Sequence, residues 1–188
     1  MELNKILTDY LVRPSYRRQV GRYWSSEVEY IRKKYVTPES FFEAKPIDID
    51  GTRMILTGMA MENLLTDIFK KQGVDCKFQS KKVMHINREI DLVVKPDFEF
   101  PKFLVETKYP FSIVKQGEIP ERYKYQLECE YRAFEKPVYL GVFTIPFNVE
   151  FIEYEPSKRR WNNIKKVLVN FHHEVKKIDN QRRELQQV

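Results

Sequence analysis

The sequence predicts a mixed α/β domain built on one central sheet flanked by helices. Three observations predict this class. Residues 54–71 repeat apolar side chains every three or four positions, as a helix does, and three short strand-like stretches follow. A second helical stretch and a fourth strand come next, and a long amphipathic helix closes the chain. At 188 residues, 42% of them hydrophobic, the chain is long enough to bury one core.

The N-terminal part is predicted to be helical. Residues 2–12 and 24–35 have helical spacing, and Arg13-Pro14 separates them, since proline has no N–H to donate and blocks a continuing helix. We distinguish three segments of one compact domain: an N-terminal helical segment, 1–53, a core, 54–155, and a basic C-terminal helix, 156–188.

The core begins with a helix and continues as strands. Gly73 ends the helix, whose apolar residues are Met61, Leu64, Leu65, Ile68 and Phe69. Residues 77–86 and 89–95 are predicted to form a hairpin about Asn87-Arg88, because asparagine tolerates the backbone of tight turns. Residues 103–108 are apolar on both faces at their start, which favours a central strand.

The remaining predicted elements are a helix at 120–135, a strand at 138–145 and an edge strand at 150–154. The last helix begins near Ser157 and repeats apolar residues in steps of three and four. Two interpretations of this seam stay open: packing on the parent domain, or a contact in a homodimer. The seam residues are Trp161, Ile164, Leu168, Phe171, Val175 and Ile178.

The charge is unevenly distributed along the chain. Residues 157–188 hold nine Lys and Arg against three Asp and Glu, which gives +6 and equals the net charge of the whole chain. Such an arm suits phosphates or an acidic surface, and a solvated helix face is the alternative.

The expected location is inside the cell. Cys76 and Cys129 are too few for a disulfide framework, no apolar run approaches the roughly 18–20 residues of a membrane span, and the first residues lack signal-peptide features. The modest size suits a virus or a mobile element.

Three E-x-K triplets occur, and their context separates them. Glu43-Ala44-Lys45 and Glu174-Val175-Lys176 lack a preceding apolar strand, whereas Glu106-Thr107-Lys108 ends one. Strand side chains repeat every two residues, so Glu106 and Lys108 share a face. Opposite charges in an apolar place are costly unless they pair or bind something. A structural ion pair and a binding site are both consistent with this triplet alone.

The position of Asp91 favours a binding site over a structural ion pair. Asp91 lies on the strand before the one that carries Glu106, and consecutive strands usually pair, so we expect the two carboxylates to converge. Two carboxylates and water form an oxygen-rich site suited to Mg²⁺ or Mn²⁺. Such a metal stabilises charge on a phosphate and lowers the pKa of a bound water, which Lys108 can orient or deprotonate.

Four short motifs in order resemble the PD-(D/E)XK nuclease superfamily over about residues 54–146. They are Gly58-Met59-Ala60-Met61-Glu62 on a helix, Asn87-Arg88-Glu89-Ile90-Asp91 entering a strand, Val105-Glu106-Thr107-Lys108, and Tyr123-Lys124-Tyr125-Gln126-Leu127. The last is similar to the glutamine-bearing helix of the RecB-like branch. The resemblance implies a restriction-endonuclease-like fold and a metal-dependent deoxyribonuclease. It implies that Glu62, Asp91 and Glu106 bind the metal with the Thr107 carbonyl, and that Gln126 supports the site.

Departures from the RecB-like pattern keep alternatives open. That branch commonly has His where Glu62 stands, and an acid there is more similar to archaeal Holliday-junction resolvases, which are dimeric structure-selective endonucleases. The expected tyrosine four residues after Gln126 is Glu130, and Tyr131 falls one later. The CRISPR-associated exonuclease-like members hold an iron–sulfur cluster, but residues 11–18, at the place of their first cysteine motif, contain no cysteine. No such cluster is therefore expected.

The expected partner is DNA. Lys115, Arg122 and the C-terminal arm would hold the phosphate backbone without reading sequence, and Tyr131 would lie against the nucleic acid. A nuclease fold kept only as a DNA-binding module is an alternative of another class.

Overall fold

The structure, a computed structural model, describes residues 18–43, 49–109, 115, 117–144 and 148–185. The predicted helix at 2–12 lies outside these residues. None of the helices in the described ranges is both long enough and apolar enough to span a membrane.

The described part of the chain contains four α-helices, eight strands and two short 3-10 turns. The helices are α1 (Val28–Arg32), α2 (Ile49–Lys71), α3 (Glu121–Phe134) and α4 (Lys158–Leu185), and the 3-10 turns are Ser25–Glu27 and Ser40–Phe42. The strands are β1 (Arg22–Trp24), β2 (Lys77–Phe78), β3 (Lys82–His85), β4 (Asp91–Val94), β5 (Phe98–Glu99), β6 (Leu104–Lys108), β7 (Val138–Thr144) and β8 (Asn148–Glu153).

The strands form two mixed sheets. The five-stranded sheet has the order β2-β5-β6-β7-β8, in which β6 and β7 are parallel and the other pairs antiparallel. This is the predicted central sheet, and the predicted central strand, β6, lies in its middle. The strands of the predicted hairpin, β3 and β4, belong instead to a three-stranded sheet of the order β1-β4-β3, so there are two sheets and not the one predicted. Its β1 lies between the two predicted N-terminal helices and includes Trp24, the first residue of the second. This strand was not predicted, because pairing with β4 is a long-range contact that local spacing does not reveal.

The predicted pairing of the Asp91 strand with the Glu106 strand is wrong. β4, which begins at Asp91, pairs with β1 and β3, whereas β6 pairs with β5 and β7. Pro96 follows β4 and cannot donate a backbone hydrogen bond, so the chain leaves one sheet there and enters the other as β5. The strand next to β6 is therefore β5, not β4.

The apolar seam of the last helix is filled by the protein's own core. Ile164, Leu168, Phe171 and Val175 are buried, and α4 packs against α1 and α3. Packing on the parent domain is thus the observed arrangement, and these side chains are not available for a dimer contact.

Glu128 joins α3 to the start of α4. It is fully buried, and its Oε1 accepts a hydrogen bond from Arg132 Nε at 2.8 Å. Its Oε2 accepts one from the Tyr154 hydroxyl at 2.5 Å and one from the Ser157 amide at 2.7 Å. A buried carboxylate with partners on both oxygens fixes the position of the helix that carries it.

We expect Glu128→Gln to lower the free energy of unfolding by about 1–3 kcal/mol, because an amide cannot accept from all these donors. Urea denaturation measures the change, with the exposed Glu155→Gln as the control. An unchanged unfolding midpoint for Glu128→Gln would contradict this account of the α3–α4 junction.

Candidate active site

Carboxylates from four elements or their ends gather near the end of β6, beside one lysine. They are Glu62 of α2, Asp97 just before β5, Glu106 of β6 with its neighbour Lys108, and Glu130 of α3. The charge of Asp97 acts on each of the other members, so the five side chains lie close enough to form one site.

Glu106 is the centre of the site. Its side chain is 3% exposed, and its Oε1 accepts hydrogen bonds from Lys108 Nζ and from Gln126 Nε2, the latter at 2.6 Å. Its Oε2 is buried and has no hydrogen-bond partner among the described residues. An unpartnered buried carboxylate oxygen is costly and indicates a site for a missing donor or cation.

Glu106 and Lys108 each affect the pKa of the other. Burial, and then the charge of Asp97, raise the pKa of Glu106 to about 7. Burial alone would lower the pKa of Lys108, but the negative charges of Glu106 and Asp97 outweigh it and raise that pKa above its ordinary value. Without a bound metal, Lys108 is therefore held as an ammonium group that donates a hydrogen bond to Glu106.

Asp97 occupies the place predicted for Asp91. The β5–β6 register pairs Phe98 with Val105, so one further residue along each strand places Asp97 opposite Glu106. Asp97 is 8% exposed, and its Oδ2 accepts hydrogen bonds from the Thr107 amide at 2.7 Å and the Thr107 hydroxyl at 2.6 Å. The side chain of Thr107 thus orients Asp97, and a metal contact of its carbonyl stays a prediction.

Asp91 lies elsewhere. Its Oδ1 is 2.7 Å from His85 Nδ1 on the three-stranded sheet, and its side chain is 39% exposed. The structure does not bring it to Glu106. The signal that was missed is Pro96-Asp97, which comes just before the short strand β5 and is followed by Glu106-Thr107-Lys108.

Glu62 is brought to the site by α2. Its Oε2 accepts a hydrogen bond from Gln79 Nε2 at 3.1 Å, and Gln79 Oε1 accepts one from Lys95 Nζ, also at 3.1 Å. Burial, and then the charge of Asp97, raise the pKa of Glu62. Glu62 and Asp97 are therefore close enough to interact.

Gln126 also reaches the site. Its Nε2 donates to Glu106 Oε1 and, at 3.0 Å, to Glu130 Oε1. Glu130 is fully buried, and burial followed by the charge of Glu106 raises its pKa well above the ordinary value. Sequence reasoning noted Glu130 only as a departure from the expected tyrosine.

The predicted DNA contacts lie at different distances from the site. The Arg122 guanidinium is 4.7 Å from the centre of the Tyr123 ring, and Lys108 Nζ is 5.7 Å from the same ring. Arg122 is thus one aromatic ring away from Lys108. Lys115 is exposed and paired with Glu118, while Tyr131 packs partly against the hydrophobic core. A contact of Tyr131 with nucleic acid stays a prediction.

The donor set suits a hard divalent cation. Three of the carboxylates, those of Glu62, Asp97 and Glu106, lie beside Lys108 and Lys95, and carboxylate oxygens are the ligands that Mg²⁺ and Mn²⁺ prefer. Among the described residues, no three His, Cys, Asp or Glu side chains are already placed to hold an ion. Lys108, Thr107 and Gln79 each donate a hydrogen bond to a carboxylate oxygen of the cluster.

Solved structures of similar shape exist, although no protein-family model and no curated protein sequence matches the chain. The structure of SSO0001 is 15% identical with a TM-score of 0.68, over 91% of this chain and 85% of that one. The alkaline exonuclease LHK-Exo from Laribacter hongkongensis is 13% identical with a TM-score of 0.61, over 97% and 98%. A phage-related exonuclease from Haemophilus somnus 129PT is 10% identical with a TM-score of 0.52, over 84% and 82%.

The chain shares the fold of these exonucleases. The predicted fold, a mixed sheet flanked by helices with a long C-terminal helix, is therefore confirmed. The PD-(D/E)XK superfamily and its RecB-like branch stay predictions.

Proposed function

We propose that this protein is a metal-dependent DNA nuclease that hydrolyses phosphodiester bonds from a DNA end. The observation that carries the proposal is the cluster of buried Asp97 and Glu106 with half-buried Lys108 on a fold shared with exonucleases, in which one carboxylate oxygen of Glu106 has no partner among the described residues. The exonucleases of similar shape, one of them solved as a complex with dAMP, favour action at an end.

Asp97 and Glu106 are the residues that would hold Mg²⁺ or Mn²⁺. Glu62 would contribute directly or through water, and the Thr107 carbonyl would complete the set. The unpartnered Oε2 of Glu106 and the excess of carboxylates over lysines support this assignment. When bound, the metal stabilises negative charge on the scissile phosphate and lowers the pKa of a water.

Lys108 would supply positive charge and a hydrogen bond at the reacting phosphate. The carboxylates around it keep it protonated, and Glu106 Oε1 holds its ammonium group in place. A positioned cation is useful where negative charge develops, because it needs no reorganisation during the reaction. Lys108 would therefore orient the attacking water and offset charge on the phosphate.

The solvent face of α4 would hold the DNA backbone. Lys158, Arg159, Lys166 and Lys177 are exposed on this helix, and residues 157–188, which contain it, have a net charge of +6, equal to that of the chain. Cations on an exposed helix bind phosphates by releasing counterions, so their contribution falls as salt rises.

We expect Lys166→Ser/Lys177→Ser to weaken DNA binding and to make its salt dependence shallower. Losing two phosphate contacts should reduce the slope of log K against log salt by about 1.5–2. Fluorescence anisotropy with Ca²⁺ measures binding, and Lys70→Ser/Lys71→Ser, two exposed lysines of α2, is the matched control. An unchanged slope for the α4 variant would assign the DNA to another surface.

The test of the proposed function compares DNA forms and metals. Linear duplex, single strand, closed circular duplex and a four-way junction are each incubated with Mg²⁺, Mn²⁺ or EDTA, beside Lys108→Ala. We expect mononucleotides from the linear forms only, in Mg²⁺ or Mn²⁺, and no reaction in EDTA. Selective cutting of the junction would favour the resolvase-like alternative. Binding without cleavage of any DNA would leave a non-catalytic DNA-binding module.

A further inference from the structure

Two buried glutamates, two residues apart on α3, differ in how fully their carboxyl oxygens are hydrogen-bonded. Glu128 has protein donors on both carboxylate oxygens, which accounts for its burial as part of the α3–α4 junction. Glu130 accepts one hydrogen bond, from Gln126 Nε2 at 3.0 Å, and its buried Oε2 has no partner among the described residues. Packing and stability do not explain Glu130, because a carboxylate so poorly satisfied costs free energy when buried.

Within the described residues, the only hydrogen-bond partner of Glu130 is Gln126, which also donates to Glu106 of the active site. Gln126 lies four residues earlier on α3, so both side chains share a helix face. One amide group, Gln126 Nε2, donates to Glu130 Oε1 and to Glu106 Oε1. The two acceptors fix the orientation of the carboxamide, and the carboxamide occupies one particular oxygen of Glu106.

This arrangement leaves Glu106 Oε2 without a hydrogen-bond partner among the described residues. Lys108 and Gln126 both bind Oε1, so the buried Oε2 is the oxygen that remains for an incoming cation. If the carboxamide of Gln126 rotated, its NH₂ group would leave Oε1 and its carbonyl oxygen would repel the carboxylate.

We propose that Glu130 is a positioning residue that holds the Gln126 carboxamide against Glu106, so that Glu106 presents Oε2 to the divalent cation. The inference rests on the proposed metal site. Glu130 acts through Gln126 and touches neither metal nor DNA. Groups that orient a metal ligand in this way affect metal affinity by about 10–100-fold.

Mn²⁺ binding to the folded full chain, measured by calorimetry, tests the inference without relying on hydrolysis. We expect Glu130→Leu to raise the Kd for Mn²⁺ about 10-fold, because the acceptor for Gln126 is lost. Glu130→Gln keeps an acceptor oxygen and should stay within about 2-fold of the wild type. Gln126→Ala should resemble Glu130→Leu, and the double variant should bind no more weakly than Gln126→Ala. Glu130→Ala replaces the leucine variant if leucine is too large to fold.

Melting temperature separates positioning from packing. Glu130→Leu removes an under-satisfied buried carboxylate and should melt no lower than the wild type. Glu128→Gln is the matched control: it should melt lower and bind Mn²⁺ with the wild-type Kd. A lower melting temperature for Glu130→Leu with an unchanged Kd would assign Glu130 to structure and overturn the proposal.

Three further outcomes would overturn the proposal. The first is an unchanged Mn²⁺ affinity in Glu130→Leu. The second is a loss of affinity in Glu130→Gln equal to that in Glu130→Leu, which would indicate that only the charge of Glu130 matters. The third is a double variant whose loss of affinity is the product of the two single losses.

The proposed function can fail independently of this positioning role. If the wild type and variants show the expected Mn²⁺ pattern without DNA hydrolysis, positioning stands and the nuclease proposal falls. If the wild type binds no Mn²⁺, both fall.

Discussion

Replacing Asp97 with asparagine should slow DNA hydrolysis at least about 100-fold, whereas Asp91→Asn should leave the rate within about 3-fold of the wild type. Asp97 lies opposite Glu106 and raises the pKa of that residue, while Asp91 contacts His85 on the other sheet. Loss of a metal ligand should cost at least as much as loss of a group that orients one, for which 10–100-fold is typical. Steady-state release of nucleotides from a linear duplex measures both variants.

The two aspartates form a matched pair because the same substitution is made six residues apart in one stretch of chain. Asp97→Asn keeps an oxygen that can accept from the Thr107 amide and hydroxyl, so its fold should persist and circular dichroism checks this. The reverse result, with Asp91→Asn inactive and Asp97→Asn active, would place the metal site on the three-stranded sheet and contradict the site described above.

Lys108→Ala should lower kcat about 10²–10³-fold with little change in KM. The ammonium group is held by Glu106, and positioned donors of this kind act mainly on the charge that develops in the transition state. Lys108→Arg should not restore the rate, because a planar guanidinium does not fit the place of a compact ammonium. Single-turnover and steady-state kinetics with Mg²⁺ separate the effect on kcat from that on KM.

Lys136 provides the control for this variant. Its side chain is 25% exposed, as is that of Lys108, and it is paired with Glu99 of the same five-stranded sheet. Lys136→Ala should leave kcat unchanged. Equal losses of kcat in both lysine variants would indicate a general effect of breaking an ion pair on this sheet, and Lys108 would then have no special role.

The E-x-K part of the site was predictable from local pattern. Strand periodicity and the apolar residues before Glu106 were sufficient to distinguish Glu106 and Lys108 from the two other E-x-K triplets. The structure places both side chains in the carboxylate cluster. Glu62 and Gln126 depended on the resemblance to a nuclease superfamily. The structure brings both near Glu106 or Asp97.

Asp97 was missed because strand pairing is not local. The rule that consecutive strands pair favoured Asp91, but Pro96 ends its strand and the short β5 enters the neighbouring sheet. A two-residue strand gives almost no periodic signal. The proline that precedes Asp97 was the available clue, since proline is expected where a strand breaks.

The N-terminal strand and the α3 network were beyond sequence patterns for the same reason. β1 is three residues long, and its partner β4 lies about 70 residues away, so only tertiary contact defines it. Likewise, helical spacing places Glu128 and Glu130 on α3 but does not say which one is fully hydrogen-bonded. Their different partners are Tyr154 and Ser157, which lie between β8 and α4, and Gln126 of α3.

The most direct test of the central claim is the rate of Mg²⁺-dependent hydrolysis of a linear duplex by Glu106→Gln and by the wild type. Glu106 is the residue on which Lys108, Gln126 and the unpartnered oxygen converge. We predict that the wild type releases nucleotides in Mg²⁺ and stops in EDTA, and that folded Glu106→Gln is at least about 100-fold slower. Hydrolysis by Glu106→Gln at the wild-type rate would contradict the account.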